Sequence, residues 1–394
     1  MSQAYVKIYP VSNGTCVLVR TEDDQYLLID CRITTTSGNT NDDTSYDVKA
    51  DLLDTLPRNK YDAPYVDLFI LSHPDLDHCQ GFAKHFFTGD PSGYSDEAAR
   101  EDKIMINEIW TTKLIYGEVC EDAKVIQKEV KRRRALYSRP DYSEGTDYNR
   151  LRFIGYDDNE PFSDCPYCLP GRNVYQIAGQ HLTNLDVFIH APFKKALVTA
   201  SANKDRNVAS IVAQYKLKSP SHQEELLLIE GGDADHYQWA EIKYQTEQHS
   251  NYQCLQFDIM LASHHCSWSF YNDRPYRNNK EPRLTSKELI ASYARDSAFV
   301  VASSKEVVNN EDNPPHYPAK TEYIDDLPKS GTFLCTGEEP TRAAPKPVIF
   351  ILSNTGVERK LPDANDTDSN SRTSRQRMSY LSSNPGIPSY GSAR

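Results

Sequence analysis

Residues 73–78, with the sequence HPDLDH, bring two imidazoles and two carboxylates into six consecutive positions. Four ionisable side chains this close repel one another unless a cation lies between them. A mixture of imidazole and carboxylate ligands suits zinc, manganese or iron better than calcium. The spacing therefore predicts a transition-metal site formed by His73, Asp75, Asp77 and His78. The alternative is a solvated acidic loop with two incidental histidines, which does not require a strand ending in Ser-His.

The residues before this segment predict the strand that positions it. Residues 67–71, DLFIL, are apolar and β-prone, which is typical of a short buried strand. Pro74 ends the strand because its ring fixes φ and leaves no N–H to donate, and the chain can turn into a helix at Gly81. The polar segment thus lies on a loop at the carboxyl end of a strand, where α/β proteins usually carry their chemistry.

The same arrangement comes twice more along the chain. An apolar run at residues 225–230 leads into Gly231-Gly232-Asp233, and another at 257–262 leads into Ser263-His264-His265. If these strands share a sheet, their polar ends converge. The candidate metal ligands are then His73, Asp75, Asp77, His78, Asp233, His264 and His265. This set provides donors for two divalent transition-metal ions, zinc or manganese, with Asp233 able to bridge them. Two ions about 3.5–4 Å apart activate water and stabilise an oxyanion or phosphoryl group.

Other polar residues are candidates for supporting roles. Asp30 ends the strand predicted at 25–31 and either orients a metal-binding histidine or is an ordinary loop residue or helix cap. His316, between prolines, either contacts substrate or caps a helix. His190 and His236 are more often structural in such positions.

Composition narrows the class of protein. The chain has 394 residues, of which 38% are hydrophobic and 25% charged, with a net charge of −12. No run of about 18 apolar residues occurs and residues 1–9 lack an apolar signal core, so we expect a cytoplasmic protein without a membrane span. The negative charge argues against sequence-blind binding along duplex DNA. The basic run 131–134 fits the carboxyl end of a helix, where positive charge is favourable, at least as well as it fits a nucleic-acid contact.

The nine cysteines are widely spread, which is typical of a reducing compartment. The pair Cys165 and Cys168 lacks the second pair that a zinc ribbon needs, so a turn is the better interpretation. We expect Cys31, Cys79 and Cys266 to pack beneath the predicted metal site. One catalytic domain is predicted at 1–360, with an insertion at about 94–180, and a disordered polar tail at 361–394.

The histidine-rich segment resembles the HxHxDH motif of the metallo-β-lactamase fold, with Asp75 in place of its second histidine. The longer pattern SHPDxDHxxG is similar to the C-terminal metallohydrolase domain of the competence protein ComEC. Further matches follow in the same order along the chain: Asp30, Asn207 with Ser210, Gly232-Asp233, Ser263-His264-His265 and His316. For the family's third-motif histidine, His190 is the only candidate. The segment 12–15 and the Cys266-Ser267 pair depart from the family pattern.

This resemblance implies an α/β (α+β) fold, an αββα sandwich, and a di-metal hydrolase that acts on phosphodiesters. It assigns Asp77 to holding the attacking water as well as a metal, His316 to substrate, and Asp30 and Asn207 to supporting the ligands. The predicted substrate is a small-molecule or nucleic-acid phosphodiester. Two other functions remain open: hydrolysis of a lactone, thioester or amide by the same site, and a binding or scaffold protein with a decayed site.

Overall fold

The structure is a computed structural model that describes residues 3–37, 45–139, 142, 145–157, 160–203, 206–220, 223–309 and 314–361. The predicted disordered tail, from residue 362 on, lies outside the described residues. Among the described helices, none combines the length and apolar character needed to cross a bilayer.

Eighteen strands are assigned within the described part of the chain. They are β1 (Tyr5–Ile8), β2 (Val17–Arg20), β3 (Tyr26–Ile29), β4 (Tyr65–Ile70), β5 (Met105–Thr111), β6 (Arg150–Ile154), β7 (Tyr167–Cys168), β8 (Arg172–Val174), β9 (Gln176–Ile177), β10 (Gln180–His181), β11 (Leu185–Ala191), β12 (Val212–Ser219), β13 (Glu224–Glu230), β14 (Phe257–Leu261), β15 (Ala294–Ala302), β16 (Thr332–Cys335), β17 (Val348–Ser353) and β18 (Gly356–Lys360).

Helices fill the connections between these strands. Those described are α1 (Val48–Thr55), α2 (Leu76–Cys79), α3 (Phe82–His85), α4 (Asp96–Arg100), α5 (Glu121–Leu136), α6 (Lys194–Asn203), α7 (His236–Gln248), α8 (Ser263–Cys266), α9 (Leu284–Tyr293) and α10 (Tyr317–Asp326).

Two large sheets carry sixteen of these strands, and β9 and β10 pair with each other. The first has the order β18-β17-β1-β2-β3-β4-β5-β6-β7, and the second has the order β16-β15-β14-β13-β12-β11-β8. In the first sheet β3, β4, β5, β6 and β7 run parallel, as do β13, β14, β15 and β16 in the second. Parallel neighbours end at the same edge of a sheet. The loops after β3, β4, β13, β14 and β15 carry the residues of the metal centre described below.

The two sheets pack face to face, and helices cover both outer faces. Leu68 and Ile70 of β4 and Leu228 of β13 belong to one apolar cluster between the sheets. Phe69, which points the other way, packs with residues of α3 and α5, and Ile229 packs with residues of α7 and α9. Strands buried on both faces carry nearly continuous apolar runs, which is why the sequence shows them so clearly. The predicted αββα sandwich is confirmed.

The region predicted as an insertion belongs to both sheets. Strands β5, β6 and β7 extend the first sheet beyond β4, and β8 pairs with β11 in the second. The predicted helix at 118–137 is α5, which begins at Glu121 and ends at Leu136. The strand predicted at 207–217 begins later, at Val212, because residues Asn207–Ala209 form a single 3₁₀ turn.

Candidate metal centre

Asp233 lies at the centre of the site, at the carboxyl end of β13. Its N–H donates to Ser210 Oγ over 3.2 Å, and the N–H of Gly232 donates to Glu230 Oε1 over 2.7 Å. Gly232 has a φ of 49°, and a Cβ there would lie 3.0 Å from Ser72 Oγ and 3.1 Å from Ser210 Oγ. Glycine is therefore required by both the backbone conformation and the close approach of the neighbouring strand ends.

Donor atoms lie on both sides of the Asp233 carboxylate. Its Oδ1 is 3.1 Å from His78 Nε2 and 3.5 Å from His265 Nε2. The same His265 nitrogen is 3.4 Å from Asp77 Oδ2. We call Asp77, His78 and His265 the Asp77 group. With Asp233, the donor atoms of this group all lie within 4.8 Å of one another.

The second group of donors surrounds the other carboxylate oxygen of Asp233, Oδ2. Asp233 Oδ2 is 3.6 Å from His73 Nε2 and 3.4 Å from His264 Nε2. His73 Nε2 is also 3.6 Å from Asp75 Oδ2. We call His73, Asp75 and His264 the Asp75 group. All seven sequence-predicted ligands are thus brought together, three on each side of Asp233.

The chemistry of these donors fits divalent metal ions. Ligand atoms about 2.1 Å from a tetrahedral ion lie about 3.4 Å from one another, which is close to the 3.1–3.6 Å of the donor distances given above. His73 Nε2 and His265 Nε2 are buried and have no hydrogen-bond partner among the described residues. A buried polar atom without a partner is unfavourable, and coordination of a cation would satisfy both nitrogens.

Carboxylate and hydroxyl groups hold the first-sheet histidines in place. His78 Nδ1–H donates to Asp30 Oδ2 over 2.6 Å. Asp30 also accepts from Ser72, through N–H at 2.8 Å and Oγ at 2.7 Å. This network fixes the tautomer of His78 and leaves Nε2 directed at Asp233. Of the two roles that the sequence left open for Asp30, its position beside a candidate metal-binding histidine agrees with the orienting one.

The second sheet presents its histidines through strained backbone. His264, His265 and Cys266 have φ values of 48°, 55° and 68°, all in the left-handed region. His265 Nδ1–H donates to the carbonyl of Ser303, at the carboxyl end of β15, over 3.0 Å. Non-glycine residues in this conformation are unfavourable and are concentrated at functional sites. Here the turn sends two adjacent imidazoles to opposite oxygens of one carboxylate.

An arginine that the sequence did not single out holds Asp75. Arg206 Nη2 forms an ion pair with Asp75, and Arg206 Nη1 donates to the carbonyl of Glu118 over 2.6 Å. Burial raises the pKa of Asp75, while Arg206 opposes that shift. Ser303 was also missed as a site residue, and its only sequence signal is a position at a strand end. Ser210 was named only as a family match beside Asn207, without a role of its own.

The electrostatics of the cluster reflect its crowded charges. Burial lowers the pKa of His78, but Asp233 and Asp30 outweigh burial and hold the pKa well above its ordinary value. Burial raises the pKa of Asp233, yet the surrounding histidines bring it well below. Burial and the neighbouring His78 hold the pKa of His73 far below the ordinary range. In the absence of a metal ion, a proton on His78 offsets the carboxylate charge.

Two predicted residues lie outside the donor cluster. His190 points from β11 toward the outer helix layer, where its Nε2–H donates to the carbonyl of Cys254 over 2.8 Å. The inner face of β11 is used by Ile189, which packs between the sheets, so alternation turns His190 away. Asn207 accepts from Ser210 through its backbone carbonyl, and it is Ser210 Oγ that approaches His73 Nδ1, at 3.3 Å. The third-motif histidine thus has no counterpart in His190.

His316 supports the loop that carries His264 and His265. It precedes α10 as its N-cap. Its N–H donates to the carbonyl of Cys266 over 2.9 Å, and its Nδ1 accepts from the N–H of Trp268 over 3.0 Å. These bonds brace the turn after the paired histidines, and contact with substrate stays a prediction.

No model of a known protein family matches the chain, and no curated protein matches it in sequence. Among solved structures, the chain is similar to unliganded yeast PDE1, with a TM-score of 0.35 and 12% identity, covering 85% of this chain and 98% of that one. It is also similar to MEM-A1, a subclass B3 metallo-β-lactamase from a soil metagenome library, with a TM-score of 0.30 and 12% identity over 72% and 88% of the two chains. It is similar as well to the class B3 di-zinc metallo-β-lactamase LRA-12 from an Alaskan soil metagenome, with a TM-score of 0.28 and 12% identity, covering 81% of this chain and 89% of that one.

Similarities of this size do not define a function. The functional argument rests instead on the geometry of the metal centre. The ComEC-like resemblance stays a prediction.

Proposed function

We propose that this protein is a metal-dependent hydrolase of phosphodiester bonds that uses two divalent transition-metal ions. The observation that carries the proposal is the Asp233 carboxylate, which offers Oδ1 to the Asp77 group and Oδ2 to the Asp75 group. A bridging carboxylate with imidazole and carboxylate donors on both sides is a donor set suited to paired zinc or manganese ions. When bound, the paired ions supply Lewis-acid activation of water and stabilise charge on a phosphoryl group.

Asp77 is best placed among the ligands to act on substrate. Its side chain is 36% exposed, whereas that of His265 beside it is 4% exposed. Burial raises the pKa of Asp77, but His265 and His78 together outweigh burial and hold the pKa well below its ordinary value. Asp77 therefore remains a carboxylate, able to accept a hydrogen bond from the attacking water and orient it toward the substrate.

Basic side chains beside the ligands support an anionic substrate. Arg206 pairs with Asp75, and Arg32 lies close enough to Asp77 for the carboxylate to raise the arginine's pKa, although burial lowers it more. Guanidinium groups suit phosphate oxygens, to which they donate two parallel hydrogen bonds. The net charge of −12 favours a small phosphodiester over long duplex DNA.

Hydrolysis of bis-p-nitrophenyl phosphate, compared with a panel of lactones, tests the proposal. Protein stripped with EDTA and reloaded with Zn²⁺ or Mn²⁺ should hydrolyse the phosphodiester, and the stripped protein should not. Asp77→Asn should abolish most of the activity. The matched control is His190→Gln, a buried histidine outside the cluster, which should retain it.

Each other outcome contradicts a defined part of the proposal. Hydrolysis of lactones alone would favour a carbonyl substrate at the same metal centre. Stoichiometric metal with no hydrolysis of either class would favour a binding protein. Elemental analysis that finds no stoichiometric metal after reloading would overturn the metallohydrolase assignment itself.

A further inference from the structure

Two thiols meet directly beneath the metal centre. Cys79 and Cys120 are both free thiols, and their sulfur atoms are 3.5 Å apart. Cys79 is buried and directly follows the ligand His78 at the end of α2, while Cys120 is half-buried at the N-cap of α5. The sequence predicted only a packing role for Cys79. The contact with Cys120 joins positions 41 residues apart.

Both partners of this thiol pair are linked to the Asp75 group. Cys79 Sγ donates to the carbonyl of Asp75 over 3.1 Å. On the other side, the carbonyl of Glu118, two residues before Cys120, accepts from the same Arg206 that pairs with Asp75. The thiol pair is therefore linked to Asp75 by two routes, a direct hydrogen bond from Cys79 and the chain segment of Cys120 through Arg206.

The N-terminus of α5 is also tied to the chain that follows the ligand loop. The Ala83 N–H, in α3, donates to Asp122 Oδ1 over 3.1 Å, and α2 packs against α5. The two sulfurs are thus held in proximity by folded structure on both sides. Such preorganisation favours bond formation between them, because little chain entropy remains to be lost.

We propose that Cys79 and Cys120 form a site for thiol–disulfide exchange with a low-molecular-weight disulfide such as oxidised glutathione, and that the resulting Cys79–Cys120 disulfide weakens metal binding at the Asp75 group. Cys120, deprotonated to the solvent, attacks one sulfur of oxidised glutathione and releases one glutathione thiolate. Cys79 then loses its proton and attacks the Cys120 sulfur of the mixed disulfide, which releases the second glutathione. The protein loses two protons and two electrons, and one glutathione disulfide becomes two glutathione thiols.

The geometry explains why oxidation would reach the metal centre. A disulfide bond is about 2.05 Å long, so the sulfurs must approach by roughly 1.5 Å. The thiol hydrogen that Cys79 donates to Asp75 is lost in the same step. Disturbing the groups that orient metal ligands typically lowers metal affinity about 10- to 100-fold, and we expect a loss of this size for the more weakly bound ion. This effect on metal binding rests on the proposed metal centre, whereas disulfide formation does not.

The test uses the full chain, first metal-free and then titrated with Zn²⁺. After incubation with oxidised glutathione and blocking of remaining thiols, a non-reducing digest should contain a peptide that links Cys79 to Cys120. Zinc titration should show a second binding step weakened about tenfold or more, and dithiothreitol should restore it. Cys120→Ser should show neither the linked peptide nor the change in zinc affinity. Cys254→Ser, which removes another half-buried thiol, should behave as the wild type.

The absence of the linked peptide, with Cys120 unmodified or carrying glutathione alone, would overturn the exchange site. A linked peptide with unchanged zinc affinity would overturn the connection to the metal centre. If Cys120→Ser lost zinc affinity on oxidation as the wild type does, another thiol would be responsible, and the proposal would be wrong. Failure of the phosphodiesterase assay affects none of these readouts, so the two proposals fail independently.

Discussion

The two donor groups around Asp233 have similar chemistry but different support. In the Asp77 group, His78 donates to the buried carboxylate of Asp30 over 2.6 Å, and His265 donates to the carbonyl of Ser303 over 3.0 Å. In the Asp75 group, the neighbours of His73 Nδ1 among the described residues are hydroxyls at 3.2 and 3.3 Å, and His264 has Ser269 Oγ at 3.4 Å.

Exposure differs in the same direction for the two histidines after β14, whereas His73 and His78 are both fully buried. The His264 side chain is 26% exposed, against 4% for His265. Asp75 is in addition paired with Arg206, so a metal ion must compete with a guanidinium for that carboxylate. Strong acceptors behind a metal-binding histidine orient the ring and raise its basicity. The comparison teaches that the groups supporting the ligands, rather than the ligand types alone, set the order of binding. We expect the Asp77 group to bind its ion first.

The largest effect is expected from Asp233→Asn, because this change removes the charge shared by both groups while keeping the shape of the side chain. Metal content should fall below one ion per chain, and hydrolysis should fall on the order of 10³-fold or more. Elemental analysis and steady-state kinetics measure the two quantities. Retention of two ions with a rate within about tenfold of wild type would contradict the bridging role.

A smaller and unequal effect is expected when each group loses its own carboxylate. Asp77→Asn should lower kcat about 10²- to 10³-fold, because Asp77 both binds metal and orients water in the transition state. Asp75→Asn should mainly weaken the second metal ion and be largely rescued by excess Zn²⁺ or Mn²⁺. Circular dichroism should show both variants folded. Equal losses of kcat in both variants at saturating metal would contradict the inferred difference between the two groups.

Asp30→Asn should act mainly on the Asp77 group, because His78 contacts Asp30 directly and His73 only through Ser72. An amide in place of the carboxylate removes the charge that supports His78, and we expect metal affinity to fall about 10- to 100-fold. Competition with a chromogenic chelator measures this loss for each ion separately. If the weaker-bound ion is the one affected, the assignment of the two groups is reversed.

The smallest effect on activity is expected at His190, which lies outside both groups. Burial lowers the pKa of His190 from 6.5 to about 4. As pH falls from about 6.5 to about 4, the unfolded chain takes up a proton that the folded protein does not, so stability is lost across this window, by about 3 kcal/mol in total. His190→Gln lacks this contribution. Its free energy of unfolding should depend less steeply on pH there, with metal content unchanged.

Urea unfolding at several pH values between about 4 and 7 measures that slope. The same slope in the wild type and in His190→Gln would show that His190 is not buried as a neutral imidazole. Loss of metal from His190→Gln would return this histidine to the list of ligands.

Local sequence determined which residues reach the metal centre. Apolar runs before residues 73, 233 and 264 specify buried strands, and Pro74 or paired glycines end the first two, so polar residues fall at strand ends. The expectation that these strands share one sheet is wrong, because β4 belongs to the first sheet and β13 and β14 to the second, and it is the packing of the two sheets that brings the three ends together. Local patterns were enough to name the seven candidate ligands, whereas the sandwich was inferred from the resemblance to a known family, and two roles were left open for Asp30.

Only the tertiary structure decided how the donors divide between the two sides of Asp233. The division depends on three left-handed residues after β14 and on how the two sheets pack, neither of which a local pattern encodes. The partner of Asp75 is Arg206, far along the chain, and the contact of Cys79 with Cys120 depends on where α5 packs. Residue type and spacing specify an element and its faces, whereas distances between elements are set by packing of the whole core. His190 shows the same limit of local patterns. Neighbouring residues of β11 point to opposite faces, so Ile189 lies between the sheets and His190 lies beneath the helices.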